Sequence, residues 1–75
     1  MFLHEVESGS QAKVKKIIGT GPLQRRILDM GITPGTLVKV QKLAPLGDPL
    51  EVKAKGFNLS LRKAEASMIE VEAVS

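Results

Sequence analysis

Apolar and polar residues alternate along much of the chain, a pattern typical of β-strands that are buried on one face. The most regular segment is "FNLSLRK", in which Phe57, Leu59 and Leu61 alternate with polar residues. The alternation predicts that these three side chains point inward. Asn58 and Ser60 lie on the opposite side of the same strand and are predicted to face solvent. The segment therefore predicts a strand with clearly divided apolar and polar faces.

Four other segments have the composition of strands. The first, "AKVKKIIG", predicts Val14, Lys16 and Ile18 on one face, with Lys15 and Ile17 on the other. The remaining three segments have regular inward positions, which are Val38 and Val40; Leu50, Val52 and Ala54; and Ile69, Val71 and Ala73. The pattern as a whole predicts five short strands.

The segment "TGPLQRRILDMG" predicts the one clear helix of the chain. Pro22 suits the first helical position, where its missing N–H removes no helical hydrogen bond. Gly31 suits the left-handed position that follows a helix end. Leu23, Ile27 and Met30 are spaced at i, i+4 and i+7 and form one apolar stripe. Because so short a helix is not stable alone in water, the stripe is predicted to pack on the sheet.

The 75 residues are expected to form a single domain, residues 1–75, with a small core. Because a small sheet with exposed edges is prone to association, the sheet is expected to curl on itself. The predicted fold class is mainly β, a small five-stranded barrel with one short α-helix at one end. The segment "KAEAS" adds a short helical turn before the last strand. The chain has no cysteine, which excludes disulfides and thiolate metal sites.

The net charge of +3 is distributed unevenly along the chain. Residues 11–63 hold all 11 Lys and Arg and three acidic residues, whereas the two ends hold five glutamates and no Lys or Arg. Much of the basic field would cancel if the ends folded beside the basic strands. Binders of single-stranded nucleic acid also need aromatic stacking platforms, and the chain has no Trp or Tyr. A small basic barrel that binds nucleic acid or a ribonucleoprotein is therefore the alternative function and not the first expectation.

Side chains capable of metal binding or catalysis are few. His4, Glu5 and Glu7 form the only grouping of metal-ligand type, and neighbours in sequence do not converge on one ion without ligands from elsewhere. The expectation is a solvated N-terminal tail, with no metal site and no cofactor. The single histidine and the absence of cysteine also give no support for nucleophilic catalysis, so we expect no catalytic residue and no enzyme activity.

The segment "APLGDP" places two prolines, a glycine and an aspartate between two predicted strands. One interpretation is a rigid hairpin connection and nothing more. The other is a stiff loop that presents Leu46 to a partner at a low entropy cost, with helix arginines that steer an acidic partner. The candidate partner-binding residues are then Leu46, Gly47, Asp48, Pro49, Arg25 and Arg26. The outward Lys53, Lys55 and Arg62 are the next candidates.

Three blocks of the sequence occur together in a known family. They are the helix end and turn Leu28 to Gly35, the loop Ala44 to Pro49, and the segment Gly56 to Ala66, which is followed by the strand Ile69 to Val71. In this order and spacing the chain resembles the FeoA family, small cytoplasmic proteins of bacterial ferrous iron transport. The resemblance covers nearly the whole chain.

The resemblance implies a fold, a partner and a location. The fold would be a small SH3-like barrel, in agreement with the strand pattern. The partner would be the FeoB permease, contacted at its cytoplasmic GTP-binding region, and the protein would regulate or assist it without enzyme activity. The location would be the cytoplasm, without direct membrane insertion. Weak self-association stays open at this point.

Overall fold

The computed structural model describes residues 1–43 and 48–74. Five antiparallel strands form one sheet in the order β4-β3-β2-β1-β5. The strands are β1 (Gln11–Ile17), β2 (Leu37–Leu43), β3 (Leu50–Ala54), β4 (Phe57–Leu61) and β5 (Ile69–Ala73). The helices are α1 (Pro22–Asp29) and α2 (Lys63–Ala66), and a 3₁₀ helix covers Leu3–Glu5. The mainly β fold with five strands is confirmed.

The sheet differs from the predicted barrel in one respect. Strands β4 and β5 are its two edges, and no ladder joins them within the described part of the chain. The connection between these strands passes through α2, whose Ala66 is buried in the core. Within the described residues the sheet is therefore not closed into a barrel by backbone hydrogen bonds.

The core contains most of the predicted inward residues. Leu50, Val52 and Ala54 of β3 are all buried, as are Val38 and Val40 of β2. Leu61 and Ala66 are also fully buried, whereas Leu59 is half-buried and packs against the core from its side. The alternation therefore identified the buried face of the central strands correctly.

The prediction of an inward Phe57 is wrong, because 71% of this residue is exposed. Phe57 lies opposite Ala54, at the end of the β3–β4 hairpin. It has the same alternation as Leu61, but the hairpin extends beyond the last layer of core side chains. Ala73 is exposed as well, since β5 also runs past the core toward Val74.

The predicted faces of β1 are wrong after Val14. The pairing of β1 with β5 shifts between Val14 and Lys16, where a β-bulge adds one residue. A bulge reverses which side chains point inward beyond it. As a result Ile17 packs against the core opposite Ile69, and Ile18 is 48% exposed.

Helix α1 is confirmed, and its C-terminus has a specific hydrogen-bond pattern. The N–H of Ile32 donates to the carbonyl of Ile27 at 3.3 Å, and the N–H of Gly31 donates to Leu28 at 2.9 Å. Gly31 has a φ of 88°, which a residue with a Cβ adopts only with strain. This is a Schellman motif, and the two residues that its longer hydrogen bond joins, Ile27 and Ile32, are both fully buried in the core.

The predicted solvated N-terminal tail is wrong. Leu3 is fully buried and Val6 is 7% exposed, so one side of the 3₁₀ helix belongs to the core. Glu5 accepts a hydrogen bond from the N–H of Phe2 at 2.7 Å. The N–H of Val71 donates to the carbonyl of Met1 at 2.8 Å, which joins the N-terminus to the outer side of β5.

Candidate functional site

A polar cleft lies where α1, the start of β3 and the end of β4 come together. It has a volume of about 410 Å³ and is lined by Arg26, Asp48, Pro49, Ser60 and Arg62. Arg26, Asp48 and Pro49 are candidate partner-binding residues from the sequence, and Arg62 is one of the next candidates. The cleft therefore brings together an arginine of α1 and the end of the segment 44–49, here called the proline loop.

Glu65 lies beneath this cleft and organises it. Only 3% of this residue is exposed, and a buried carboxylate needs compensating partners. Its Oε1 accepts a hydrogen bond from the N–H of Arg62 at 2.9 Å, which caps α2. Its Oε2 lies 2.7 Å from Nε of Arg26, a charge-assisted contact that joins α1 to α2. Arg26 is thus held in place and its charge is offset, although 62% of its side chain is exposed.

Asp48 has a structural role at the other side of the cleft. Its Oδ1 accepts a hydrogen bond from the N–H of Lys63 at 3.0 Å. Lys63 is the first residue of α2, where backbone N–H groups have no partner within the helix. The end of the proline loop is therefore attached to α2, and Asp48 and Pro49 are presented at the surface in a defined position.

The other sequence candidates lie apart from this cleft or outside the described residues. Arg25 lies on a second groove of about 670 Å³ along α1, with Gly21, Pro22, Gln24, Leu28 and Asp29. Leu46 and Gly47 lie outside the described residues. Because Arg25 and Arg26 are neighbours on a helix, they point in different directions, and only Arg26 contributes to the cleft.

Sequence reasoning missed two residues of this region. Ser60 is predicted only on an outward face and Glu65 has no predicted role, whereas Arg62 is one of the next candidates, together with Lys53 and Lys55. The spacing of Arg62 and Glu65 matches the three-residue interval of a capping box, which is a usable signal. Arginine is an uncommon residue at the first position of that motif, and this weakens the signal.

Side chains of metal-ligand type do not gather in the described part of the chain. No group of three or more His, Cys, Asp or Glu residues is placed to hold an ion there. At the N-terminus, Glu5 is engaged as a cap, and Nδ1 of His4 is buried without a hydrogen-bond partner among the described residues. Nor does any helix in residues 1–43 and 48–74 have the length and apolarity needed to span a bilayer.

Comparisons with known proteins agree on one family. A family model described as FeoA domain matches residues 1–73. A relative from Porphyromonas gingivalis, an Fe(2+) transport protein A/Fe(2+) transporter FeoB fusion protein, is 40% identical over 75 residues. The match covers all of this chain and 9% of the fusion protein. The chain thus spans only a small part of that curated relative.

Two solved structures show the same fold. A FeoA-like protein from Clostridium acetobutylicum is 43% identical, with a TM-score of 0.94 over all of this chain and 87% of the other. FeoA of Stenotrophomonas maltophilia, described as a prokaryotic SH3 domain protein and crystallised with zinc, is 26% identical. Its TM-score is 0.85, over 96% of this chain and 89% of the other. The expected SH3-like architecture is supported by this likeness.

Proposed function

We propose that this chain, which belongs to the FeoA domain family, is a cytoplasmic accessory protein of bacterial ferrous iron uptake. It acts by contact with the GTP-binding region of a FeoB-type permease. The observation that carries the proposal is the Porphyromonas gingivalis fusion, which combines transport protein A and FeoB in one polypeptide. Because covalent linkage raises the effective concentration of two modules for each other, such a fusion favours a direct contact between them.

The contact surface in this proposal is the cleft together with the adjoining proline loop. The side chain of Arg26 is already fixed by Glu65, and Asp48 is fixed by the N–H of Lys63. Pre-ordered groups lose little conformational entropy when a partner docks, so they bind at low cost. Arg62 adds a second cation to the cleft. Leu46 and Gly47, which precede Asp48 in the chain, belong to the contact in this proposal, with Leu46 as its apolar anchor.

The contact is non-enzymatic in this proposal. The cleft offers two guanidinium groups, one carboxylate and one hydroxyl, that of Ser60. These groups suit ion pairs and hydrogen bonds with a protein surface. The one carboxylate of the cleft, that of Asp48, is engaged by the N–H of Lys63, which favours a structural role over that of a general base.

The pairing of β1 with β5 weighs against the nucleic acid alternative. Lys16 lies 4.0 Å from Glu70, and Lys13 lies opposite Glu72. The acidic end of the chain thus does fold beside a basic strand. Because this reduces the basic field on that side of the sheet, a protein contact remains the better proposal.

Calorimetric titration against the purified cytoplasmic region of FeoB from the same organism tests the proposal. The titration is run without nucleotide, with GDP and with a non-hydrolysable GTP analogue. Replacing Leu46 by Ala is expected to weaken binding by about 1–3 kcal/mol, the free energy of burying one apolar side chain. Arg62→Glu is expected to weaken it as well, through charge repulsion in the cleft.

Lys55→Glu is the matched charge control, since Lys55 lies at the far hairpin turn and not in the cleft. This variant is expected to bind like the parent. Absence of binding in all three nucleotide conditions contradicts the proposal. Equal binding by the parent, Leu46→Ala and Arg62→Glu places the contact elsewhere on the protein.

A further inference from the structure

The turn between β3 and β4 has an unusual composition. Two residues, Lys55 and Gly56, connect the strands, with φ of 53° and 81°. Positive φ at both central positions is the geometry of a type I′ turn, for which Asn and Gly are strongly preferred. The backbone of a lysine is strained at a positive φ, whereas asparagine adopts this conformation at a lower cost in free energy. Phe57, which follows directly, is 71% exposed. The hairpin thus ends in a strained cation and an exposed aromatic ring.

A second unfavourable arrangement lies beside this turn. Lys39 and Lys53 are directly opposite each other in the β2–β3 ladder, and both are exposed. Like charges at opposite positions destabilise a strand pair. Leu37, at the start of β2, is 53% exposed. A groove of about 400 Å³ runs along this surface and is lined in part by Leu37, Lys39, Lys53 and Gly56.

The charges of these lysines are not neutralised by ion pairs in the described part of the chain. The two ion pairs found there join Lys16 to Glu70 and Arg26 to Glu65. Glu51, the acidic residue of β3, is not the ladder partner of Lys39 or of Lys53. Phe57 pairs with Ala54 and so lies on the opposite face of the sheet from Lys39 and Lys53, but all of these residues lie near the same end of the β2–β3–β4 ladder. This end, formed by Leu37, Lys39, Lys53, Lys55 and Phe57 and here named the hairpin end, therefore combines uncompensated cations with exposed apolar side chains.

We propose that the hairpin end docks on the surface of an anionic lipid bilayer. The sheet meets the bilayer end-on, so that Phe57 and Leu37 enter the headgroup layer while Lys39, Lys53 and Lys55 contact phosphate headgroups from either side of the ladder end. Lysines near an anionic bilayer gain electrostatic free energy individually, and exposed apolar side chains gain from leaving water. Both costs seen in the free protein, the opposed lysines and the exposed ring, are offset when this surface meets an anionic bilayer. The cleft and its protein partner take no part in this contact.

The same surface suits nucleic acid less well. Proteins that bind single-stranded nucleic acid without sequence preference stack the bases on several aromatic side chains. The hairpin end has one aromatic side chain, that of Phe57. An exposed leucine adds nothing to base stacking, whereas it suits the boundary between headgroups and acyl chains. The mixture of aliphatic, aromatic and lysine side chains at one end of the sheet is the composition of an interfacial membrane contact.

Vesicle flotation of the full chain tests this proposal. One set of vesicles contains equal parts of phosphatidylglycerol and phosphatidylcholine, and the other contains phosphatidylcholine alone. The protein is expected to float with the anionic vesicles and not with the neutral ones, and to be released as salt is raised. Lys39→Gln with Lys53→Gln is expected to lower binding about thirtyfold. Phe57→Ala is expected to lower it roughly tenfold.

Two control variants match these changes on the helices. Arg25→Gln with Lys63→Gln removes the same charge from exposed positions of α1 and α2. Leu28→Ala removes an apolar side chain that is 40% exposed on α1. Both controls are expected to bind anionic vesicles like the parent. Thermal melting of each variant verifies that it is folded before flotation.

Three results would overturn the proposal. Equal flotation with neutral and anionic vesicles would show that headgroup charge is not recognised. Equal loss in the hairpin-end variants and the helix controls would show that net charge alone, and not this surface, sets binding. The third result has two parts. The protein binds neither kind of vesicle, but it binds a fluorescent single-stranded oligonucleotide, and Lys39→Gln with Lys53→Gln abolishes that binding. Nucleic acid would then be the occupant of this surface.

Discussion

The Nε atom of Arg26 and the Oε2 atom of Glu65 lie 2.7 Å apart and join the two helices. The arginine is largely exposed, whereas the carboxylate is almost completely buried. The pair therefore differs from a surface ion pair, because removal of the arginine leaves a buried charge with one partner fewer. Glu65 still keeps its hydrogen bond from the N–H of Arg62.

Arg26→Ala is expected to lower the free energy of unfolding by about 1–3 kcal/mol, since it leaves Glu65 incompletely paired. Arg25→Ala is the matched control, because Arg25 is exposed on the same helix and has no such contact in the described structure. Its effect is expected to stay within about 0.5 kcal/mol. Urea denaturation measures both. Equal midpoints for the two variants would show that the contact contributes nothing to stability.

Asp48→Ala is expected to destabilise the protein by about 0.5–2 kcal/mol, the usual effect of losing a side chain that satisfies a helix N-terminus. Asp48→Asn keeps an oxygen that can accept from the N–H of Lys63, and it is expected to retain most of the stability. Denaturation by urea distinguishes the two. If Asn and Ala destabilise equally, the charge of Asp48 and not its acceptor is what matters.

Lys55→Asn is expected to stabilise the fold by about 0.5–1 kcal/mol, because asparagine tolerates positive φ better than lysine. The same variant is expected to bind anionic vesicles more weakly than the parent, since it removes a cation from the hairpin end. A rise in melting temperature together with a loss of flotation supports both statements. A fall in melting temperature would contradict the strain assigned to this turn.

Leu61→Ala is expected to cost about 2–5 kcal/mol, because Leu61 is fully buried and its truncation leaves a cavity. Leu59 is half-buried on the same strand, so Leu59→Ala is expected to cost less, about 1–2 kcal/mol. Chemical denaturation of the pair tests the order. A larger loss for Leu59→Ala would show that the core under β4 is centred on Leu59 and not on Leu61.

The features that the sequence predicts correctly are those with local causes. Pro22 and Gly31 mark the two ends of α1, and both act through their own backbone conformation. The buried positions of β3 follow from alternation over five residues, which fits the period of a strand. Each of these features can be identified without knowing what the segment packs against.

The features that sequence reasoning missed depend on distant contacts. Alternation indicates a face but not where the core ends, so Phe57 was assigned to the interior. The bulge in β1 is defined by its register with β5, and the adjacent Ile17 and Ile18 were its only local sign. In the cleft, Asp48 meets Lys63 across 15 residues and Arg26 meets Glu65 across two helices. None of these pairings has a periodic signature.

The backbone of the first two residues runs along the outer side of β5. Met1 accepts a hydrogen bond from the N–H of Val71, and Phe2 forms an isolated bridge with Glu70. An uncovered edge strand is a template onto which other chains can add, the first step of edge-to-edge aggregation. These residues therefore act as a cover that keeps one margin of the sheet from recruiting a neighbour. Removing or displacing these two residues would expose the backbone N–H and C=O groups of β5 to other chains. The protein would then be expected to aggregate on concentration while it is still folded.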